Sequence, residues 1–294
     1  MKKKKLKRYD LTLSPLYKLK SKAKLADMLY ISKKQLLSLT DSSSFYYSFE
    51  LKEDGRKPRN IDAPKQQLKD VQSRLADLLQ RIAPPDYLFT PVKGRSYVDN
   101  AAVHTRSNSF RLLDIADYFP SCKAERIGWF FRERLNCSLD VAAILRDISC
   151  LNGSLPQGSP CSPVLAYLSY SDMWDEIDRK VKANRCYLSV YADDISISGD
   201  KVPELLAWEV KKSLFKHGHV HNKKKERKKH LKPVEITGVI VRDGALQPPN
   251  RTLEKLHASY ELLDKTSSEI EAEKLLRQIR GRKSQINQIQ KLST

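Results

Sequence analysis

Two adjacent aspartates between two alternating segments place the strongest single constraint on this fold. Residues 187–191 and 195–198 alternate polar and apolar side chains, which is typical of half-buried strands. Asp193 and Asp194 fall between them, so the sequence predicts a β-hairpin with both carboxylates at its turn. Adjacent carboxylates repel one another, and divalent cations, which prefer oxygen ligands, would remove that cost. An ordinary aspartate-rich turn is the alternative, and the pair by itself favours it.

A second acidic segment favours a metal-binding site over an ordinary aspartate-rich turn. Asp114 follows Leu112 and Leu113 at the end of a short predicted strand, where a charge gains nothing from packing. Two strands from distant parts of the chain that both end in acids are what a two-metal site requires. In such a site one cation activates a hydroxyl group, and the other holds a triphosphate and its leaving group.

The segment 155–163 is a turn-rich loop that leads into a predicted helix. Its glycine and prolines make a rigid backbone that can approach a ligand closely. Gln157 within it can hydrogen-bond a sugar or a base edge. A plain helix-start turn would explain the prolines equally well.

Three motifs, in this order along the chain, resemble the palm of a reverse transcriptase. They are Asp-x-x-Asp-x-Phe at 114–119, Pro-Gln-Gly-x-Pro-x-Ser-Pro at 156–163 and Tyr-Ala-Asp-Asp at 191–194. The likeness runs from about residue 56 to 238, and Arg-x-Ile-x-x-Pro from residue 59 is similar to the family's fingers motif. Asn-Ala-x-x-His at 100–104, Thr-Gly at 237–238 and Arg-Gly at 280–281 are similar to motifs of bacterial retron reverse transcriptases.

The resemblance implies an α+β fold shaped like a right hand, with an antiparallel palm sheet backed by helices. Residues 1–100 and 122–155 would then form the fingers. Residues 101–121 and 156–242 would form the palm, and residues 243–294 a helical thumb.

The resemblance also assigns roles to individual residues. Asp114, Asp193 and Asp194 become the catalytic ligands of two Mg²⁺ ions, with the Ile115 carbonyl completing the coordination. Lys225 becomes the proton donor to the pyrophosphate leaving group, with Lys224 one register away as the alternative. Phe119 closes on the 2′ side of the ribose and rejects ribonucleotides. The other nucleotide-binding residues are Arg59, Lys65, Gln157 and Gly158, and the RNA-binding residues are Asn100, His104, Thr237, Gly238, Arg277 and Arg280.

The charge balance favours a polyanionic partner. The chain has 54 Lys and Arg against 35 Asp and Glu, a formal net charge of +19. The lysine-rich stretch 216–232 forms either a solvated surface or a patch that follows phosphates near the template and primer. The apolar runs are too short for a membrane span, and an odd number of cysteines without C-x-x-C indicates neither a disulfide framework nor a zinc ribbon. We therefore expect a cytoplasmic protein.

The retron resemblance implies particular partners. These are dNTPs and a dedicated structured RNA of the msr–msd type, primed from a 2′-hydroxyl within that RNA to give the branched RNA–DNA product msDNA. Retrons are generally antiphage defence modules, so an effector protein encoded nearby is implied as well. The alternatives are another reverse transcriptase lineage (intron-type, diversity-generating or abortive-infection) and a non-catalytic RNA-binding scaffold.

The remaining patterns give further structural expectations. Residues 234–242 are predicted as one strand, a helix is predicted from 164 through 181, and 251–294 are predicted as two helices interrupted near Gly281. A hairpin turn is expected at residues 54 and 55. The basic run 2–5 is either a frayed terminus or a nucleic-acid contact.

Overall fold

The computed structural model describes residues 7–52 and 58–292, and its secondary structure is mixed α+β. The predicted turn at 54–55 and the basic run 2–5 lie outside the described residues. The strands are β1 (Tyr46–Leu51), β2 (Arg59–Pro64), β3 (Leu88–Thr90), β4 (Ser109–Asp114), β5 (Tyr187–Tyr191), β6 (Asp194–Gly199), β7 (Arg227–His230), β8 (Val234–Ile236), β9 (Val239–Arg242) and β10 (Ala245–Gln247). The helices are α1 (Lys22–Met28), α2 (Lys33–Ser38), α3 (Gln66–Leu79), α4 (Tyr97–Ala102), α5 (Tyr118–Ser121), α6 (Ala124–Trp129), α7 (Leu139–Asp147), α8 (Ser162–Leu168), α9 (Ser171–Ala183), α10 (Glu204–Lys216), α11 (Asn250–Lys265) and α12 (Glu269–Lys291).

The central sheet has the strand order β3-β5-β6-β4-β7 among the described residues. β3 pairs with β5 in parallel, and the other neighbours are antiparallel. Every residue of β4 is buried, because this strand lies between β6 and β7 and is covered on both faces. The sheet therefore holds the carboxyl end of β4 rigidly in place.

Helices whose apolar residues recur at helical spacing cover the sheet. In α9 the buried Trp174, Ile177 and Val181 share one face, as the sequence pattern predicts. The single helix predicted from 164 through 181 is wrong in one respect, because the chain breaks at Ser169 and Tyr170 into α8 and α9. Tyr170 leaves the helical conformation and packs its ring inside the core.

A second core joins β8, β9 and β10 to α4 and β4. Val98, Phe110 and Ile289 meet there with the apolar residues of the three strands. The prediction of one continuous strand over 234–242 is wrong, because Thr237 and Gly238 take positive φ angles of 47° and 82° and turn the chain into a hairpin.

The C-terminal helices α11 and α12 pack against each other, and the break between them is not near Gly281. The chain leaves the helix at 266–268, where Ser268 precedes the acidic first turn of α12. Gly281 lies within α12, because the surrounding Arg, Lys and Gln residues are strong helix formers that outweigh one glycine. Within the described part of the chain, no helix combines the length and the apolar character needed to cross a bilayer.

Candidate active site

The β5–β6 hairpin carries the adjacent aspartates at its turn, which confirms that prediction. Ala192 takes a positive φ of 56°, and the chain reverses so that β6 begins at Asp194. Asp194 is the register partner of Asp114 at the end of β4. The Ile115 amide donates to the Asp193 carbonyl at 2.9 Å. The three aspartates therefore meet at one edge of the central sheet.

Desolvation and neighbouring negative charges raise the pKa values of Asp193 and Asp194. Asp114 is 4% exposed, whereas Asp194 is open to solvent along one side. Desolvation by the surrounding protein, followed by the charges of Asp193 and Asp114, raises the pKa of Asp194 to about 6. Desolvation and the charge of Asp114 also raise the pKa of Asp193, while the positive charges of Lys225 and Arg59 oppose that rise. The three aspartates therefore need additional positive charge to compensate their negative charges.

Lys225 supplies part of that charge. Its ammonium donates to Oδ2 of Asp114 at 2.6 Å, and this hydrogen bond raises the pKa of the lysine. The loop is anchored at Asn222, whose amide donates to the Asp114 carbonyl at 2.7 Å. Lys224 contacts Asn222 instead: its backbone N–H donates to Oδ1 of Asn222 at 3.2 Å. Lys225 is therefore the lysine that contacts the carboxylates.

The donor set fits a divalent cation in chemistry. Asp114, Asp193 and Asp194 offer only oxygen ligands, which is what Mg²⁺ takes. Their side chains do not form a finished metal centre: across the described ranges, no three Asp, Glu, His or Cys side chains are grouped closely enough to hold an ion. The Lys225 ammonium contacts one of these carboxylates, that of Asp114.

A groove of about 690 Å³ opens beside the carboxylates. One wall comes from the central sheet and the Lys224–Lys225 loop, and the other comes from the second core and the C-terminal helices. Its polar and aromatic lining residues are Tyr97, Asp114, Tyr191, Asp194, Ser196, Lys224, Lys225, Arg227, Glu235, Thr237, Arg251 and Gln285. The groove therefore joins the acidic edge to parts of the chain more than 40 residues away in sequence.

Phe119 lies on the short helix α5, which follows Asp114. Its ring is half-buried and packs at 5.6 Å from the ring of Tyr118, which is only 7% exposed. Phe119 therefore presents an accessible ring, whereas Tyr118 belongs to the core.

His219, which the sequence patterns do not assign to this site, contacts the end of α5. Its Nδ1 lies 2.8 Å from the hydroxyl oxygen of Ser121, and its ring packs 4.3 Å from the ring of Tyr170. Burial lowers the pKa of His219 to about 4, so it is neutral at pH 7. Beyond the cluster of histidines at 217–221, no sequence pattern indicates this role.

Gly158 packs closely against β2. A Cβ at this position would lie 2.5 Å from the Asp62 carbonyl oxygen and 3.1 Å from Cγ2 of Ile61. The loop 155–163 therefore lies directly against β2, and only glycine permits that approach. Gln157 beside it is half-buried and has no hydrogen bond within the described residues.

The two predicted triphosphate contacts differ in position. Arg59 is exposed at the start of β2, and its charge acts on Asp193, so it faces the acidic edge. The Lys65 ammonium donates to the Ser44 carbonyl at 2.9 Å, which ties it to the segment before β1. The structure therefore brings Arg59 towards the site and directs Lys65 elsewhere.

Asn100 and Thr237, predicted separately as RNA-binding residues, contact each other. Nδ2 of Asn100 donates to Oγ1 of Thr237 at 3.2 Å, and that hydroxyl donates to the Tyr97 carbonyl at 3.0 Å. Asn100 is 1% exposed, so its burial excludes a direct RNA contact in this conformation. Asn100 instead holds the Thr237–Gly238 turn at the groove.

His104 is likewise enclosed, with no exposed surface, and a direct RNA contact is excluded for it too. Its Nδ1 lies 2.6 Å from Oγ of Ser198, and its Nε2 lies 2.7 Å from Oγ of Ser189. Burial lowers the pKa of His104 to about 3, so the ring is neutral at pH 7. It fastens the α4 region to both strands of the aspartate hairpin.

Arg277 and Arg280 lie on the exposed side of α12. Arg277 forms an ion pair with Glu273 on the same helix. Arg280 lines a shallow basic cavity on the outer side of the helix together with Lys283 and Lys291. These cations are accessible to a polyanion.

The comparisons with known proteins agree with this geometry. Residues 51–241 match the family described as Reverse transcriptase (RNA-dependent DNA polymerase). The chain belongs to the reverse transcriptase family. The matched range contains the three aspartates, Phe119, the 155–163 loop and Lys225.

Similar individual proteins are retron reverse transcriptases. The chain is 32% identical to the Retron Se72 reverse transcriptase of Salmonella heidelberg (strain 579083-10), over 75% of this chain and 61% of that protein. It is 28% identical to the Retron Ec86 reverse transcriptase of Escherichia coli, over 54% of this chain and 50% of that protein. The chain thus spans less than two thirds of these relatives' length. The similarity supports a retron-type reverse transcriptase.

Proposed function

We propose that this reverse transcriptase is an RNA-directed DNA polymerase that copies a structured RNA into DNA. The observation that carries the proposal is the pairing of Asp114 with Asp194 at adjacent strand ends, with Asp193 beside them. Acids that gather at strand ends, two of them with raised pKa values, gain nothing from packing, and such clusters are typical of functional sites. An RNA-binding scaffold without catalysis would have no need of it.

In the proposed reaction a primer hydroxyl attacks the α-phosphate of a dNTP, and pyrophosphate leaves. Two Mg²⁺ ions held by the three aspartates and the Ile115 carbonyl would supply Lewis-acid activation and neutralise the triphosphate. The Lys225 ammonium, which stays protonated because its pKa is raised, would donate a proton to the leaving pyrophosphate. Arg59 would bind the triphosphate, and Phe119 would exclude a 2′-hydroxyl.

The proposed hand assigns the central sheet to a palm at 101–121 and 156–242. The residues at 1–100 and 122–155 would be the fingers, which carry Arg59 and Lys65. Gln157 and Gly158 would lie where the palm meets the fingers, and the contact of Gly158 with β2 supports that position. Helices α11 and α12, within 243–294, would be the thumb that closes the groove.

The proposed template is a dedicated structured RNA of the msr–msd type. Priming from an internal 2′-hydroxyl would give msDNA, in the cytoplasm, as part of an antiphage system with a separate effector protein. Similarity to retron reverse transcriptases and the net charge of +19 support this proposal. Thr237, Gly238, Arg277 and Arg280 would contact the RNA, with Asn100 positioning the Thr237–Gly238 turn and His104 positioning the aspartate hairpin.

The test is Asp193→Asn, with Asp200→Asn as a matched control because Asp200 is an exposed aspartate just beyond β6. Purified variants are given a primed RNA template, dNTPs and Mg²⁺. We expect Asp193→Asn to reduce dNTP incorporation by roughly a hundredfold or more, because an amide cannot hold Mg²⁺ against phosphate charge. RNA affinity should stay unchanged, and Asp200→Asn should keep wild-type activity. Undiminished extension by Asp193→Asn would refute the assignment, and RNA binding by a wild-type protein that incorporates nothing would favour a scaffold.

A further inference from the structure

Helix α10 presents apolar side chains on its outward face. Leu206, Val210 and Leu214 are buried against the core, as expected for a covering helix. The opposite face also carries large apolar groups at 205, 208 and 215, which together with Lys212 fall within about 80° of one another around the helix axis. Leu205 is 65% exposed, Trp208 is 54% exposed and Phe215 is 75% exposed.

Positive charge surrounds these aromatic rings. The Lys212 ammonium lies 5.1 Å from the centre of the Trp208 ring. A surface cavity of about 650 Å³ lies between the helix and the following loop, and the single acid lining it is Glu226. Glu226 is neutralised by ion pairs with Arg111 at 3.3 Å and Lys211 at 3.1 Å. The lining residues are Trp208, Lys211, Lys212, Phe215, His221, Lys223 and Glu226. We call this surface the α10 surface.

Exposed aromatic rings interleaved with lysines are suited to unpaired nucleotides. Each ring offers a face on which a base can stack, and the lysines can follow the phosphates that connect the bases. A duplex conceals its base faces, so it gains nothing from Trp208 and Phe215. An apolar protein helix would cover the rings but would also bury the charged Lys212 without an acidic partner.

The α10 surface lies on the far side of the loop that reaches the carboxylates. His221, Lys223 and Glu226 line the α10 surface, whereas Lys224 and Lys225 line the groove beside Asp114. A polynucleotide can therefore cross from the groove over consecutive exposed lysines to the rings. Positively charged side chains therefore continue from the groove to the rings.

We propose that the α10 surface binds a single-stranded segment of the RNA that this enzyme copies, outside the synthesis groove. The choice of RNA rests on the proposed function, because a copied RNA must have unpaired stretches. Stacking of bases on Trp208 and Phe215 would hold the strand on this surface.

Tryptophan fluorescence of the full chain tests the proposal. The chain has three tryptophans, of which Trp174 is fully buried and Trp208 is exposed. The full chain is titrated with a single-stranded RNA of about ten nucleotides and separately with the same strand in a duplex. We expect the single strand to quench the fluorescence more strongly, since a base stacked on the Trp208 ring quenches its emission.

Three variants locate the signal. Trp208→Phe should remove the quenching and keep the affinity, because phenylalanine still stacks, while Trp129→Phe should leave the quenching in place. The double variant Trp208→Ala with Phe215→Ala should weaken single-strand binding by at least about fivefold. Tyr187→Ala, an exposed aromatic lining a different cavity, should have no effect.

Quenching that survives Trp208→Phe, or equal affinity of the double variant and the wild type, would overturn the proposal. The proposal would also be overturned by a protein partner that binds the wild type but not the double variant, if the single-stranded RNA binds both forms equally. The titration does not depend on dNTP incorporation. A protein that shows the Trp208 signal but never extends a primer therefore contradicts the proposed function and leaves the α10 surface as an RNA site.

Discussion

Lowering the pH from 7 to 5 is expected to destabilise the fold through His104. The imidazole is fully enclosed between the hydroxyl oxygens of Ser189 and Ser198, and burial lowers its pKa from 6.5 to about 3. In the unfolded chain the same ring takes up a proton near pH 6.5. The folded state does not bind that proton until the pH is near 3. The contribution of His104 to the free energy of unfolding is therefore fully present above pH 6.5 and is lost as the pH falls towards 3.

The size of the effect follows from the two pKa values. Between pH 7 and pH 5 the unfolded state gains most of one proton that the folded state does not bind. The loss of unfolding free energy over this interval is about 2 kcal/mol, from about 1.4 kcal/mol per pKa unit over one and a half units. His104→Gln removes the titrating ring, so this part of the pH dependence should vanish in the variant.

The assay is urea unfolding followed by circular dichroism at both pH values. At pH 7 the His104→Gln variant should be less stable than the wild type, because glutamine cannot hold both serines in the same geometry. At pH 5 the difference between the free energies of unfolding of the two proteins should be about 2 kcal/mol smaller than at pH 7. His257→Gln, an exposed histidine on α11, is the matched control and should follow the wild type. Parallel pH profiles for wild type and His104→Gln would refute the reasoning, since every other titrating group is the same in both proteins.

Four further substitutions test other parts of the protein. Phe119→Ala should raise the ratio of rNTP to dNTP incorporation by roughly tenfold or more, and an unchanged ratio in primer extension would show that the ring does not face the ribose. Gly158→Ala should destabilise the protein by about 1–3 kcal/mol in urea unfolding because its Cβ meets the backbone of β2. Gly281→Ala in the open helix α12 should instead stabilise it by about 1 kcal/mol; two equal effects would contradict the packing argument. Arg280→Ala should lower RNA affinity and reduce the slope of its salt dependence by about one, and an unaltered slope would exclude a phosphate contact.

The acidic edge was predictable because its signals are local. Alternation along 187–191 and 195–198 defines the hairpin, and an acid after two leucines marks the end of β4. Each pattern is written in consecutive residues, so one sequence suffices to place Asp114, Asp193 and Asp194 at strand ends. Their meeting at one edge required the resemblance or the structure.

The contacts that the sequence did not reveal join distant segments. Nothing near Asn100 indicates that its side-chain amide contacts Thr237, which lies 137 residues later. Nor does any local pattern show that His104 contacts Ser189 and Ser198, or that Gly158 packs against β2.

The element boundaries at 237–238 and at 281 were predicted wrongly for local reasons. The Thr237–Gly238 pair is a weak turn signal inside a strand-like segment, and Gly281 was interpreted as a helix break although strong helix formers surround it.

Ile289 in the second core has a consequence for how the protein is made. On the ribosome, the strands that carry the aspartates emerge before α12, and the N-terminal part of a chain generally folds first. The second core is closed by a residue near the end of α12, so the wall that holds the Thr237–Gly238 turn is completed only after α12 has been synthesised. A nascent chain can therefore gather its acids early, but it has no finished groove in which to use them until α12 has left the ribosome.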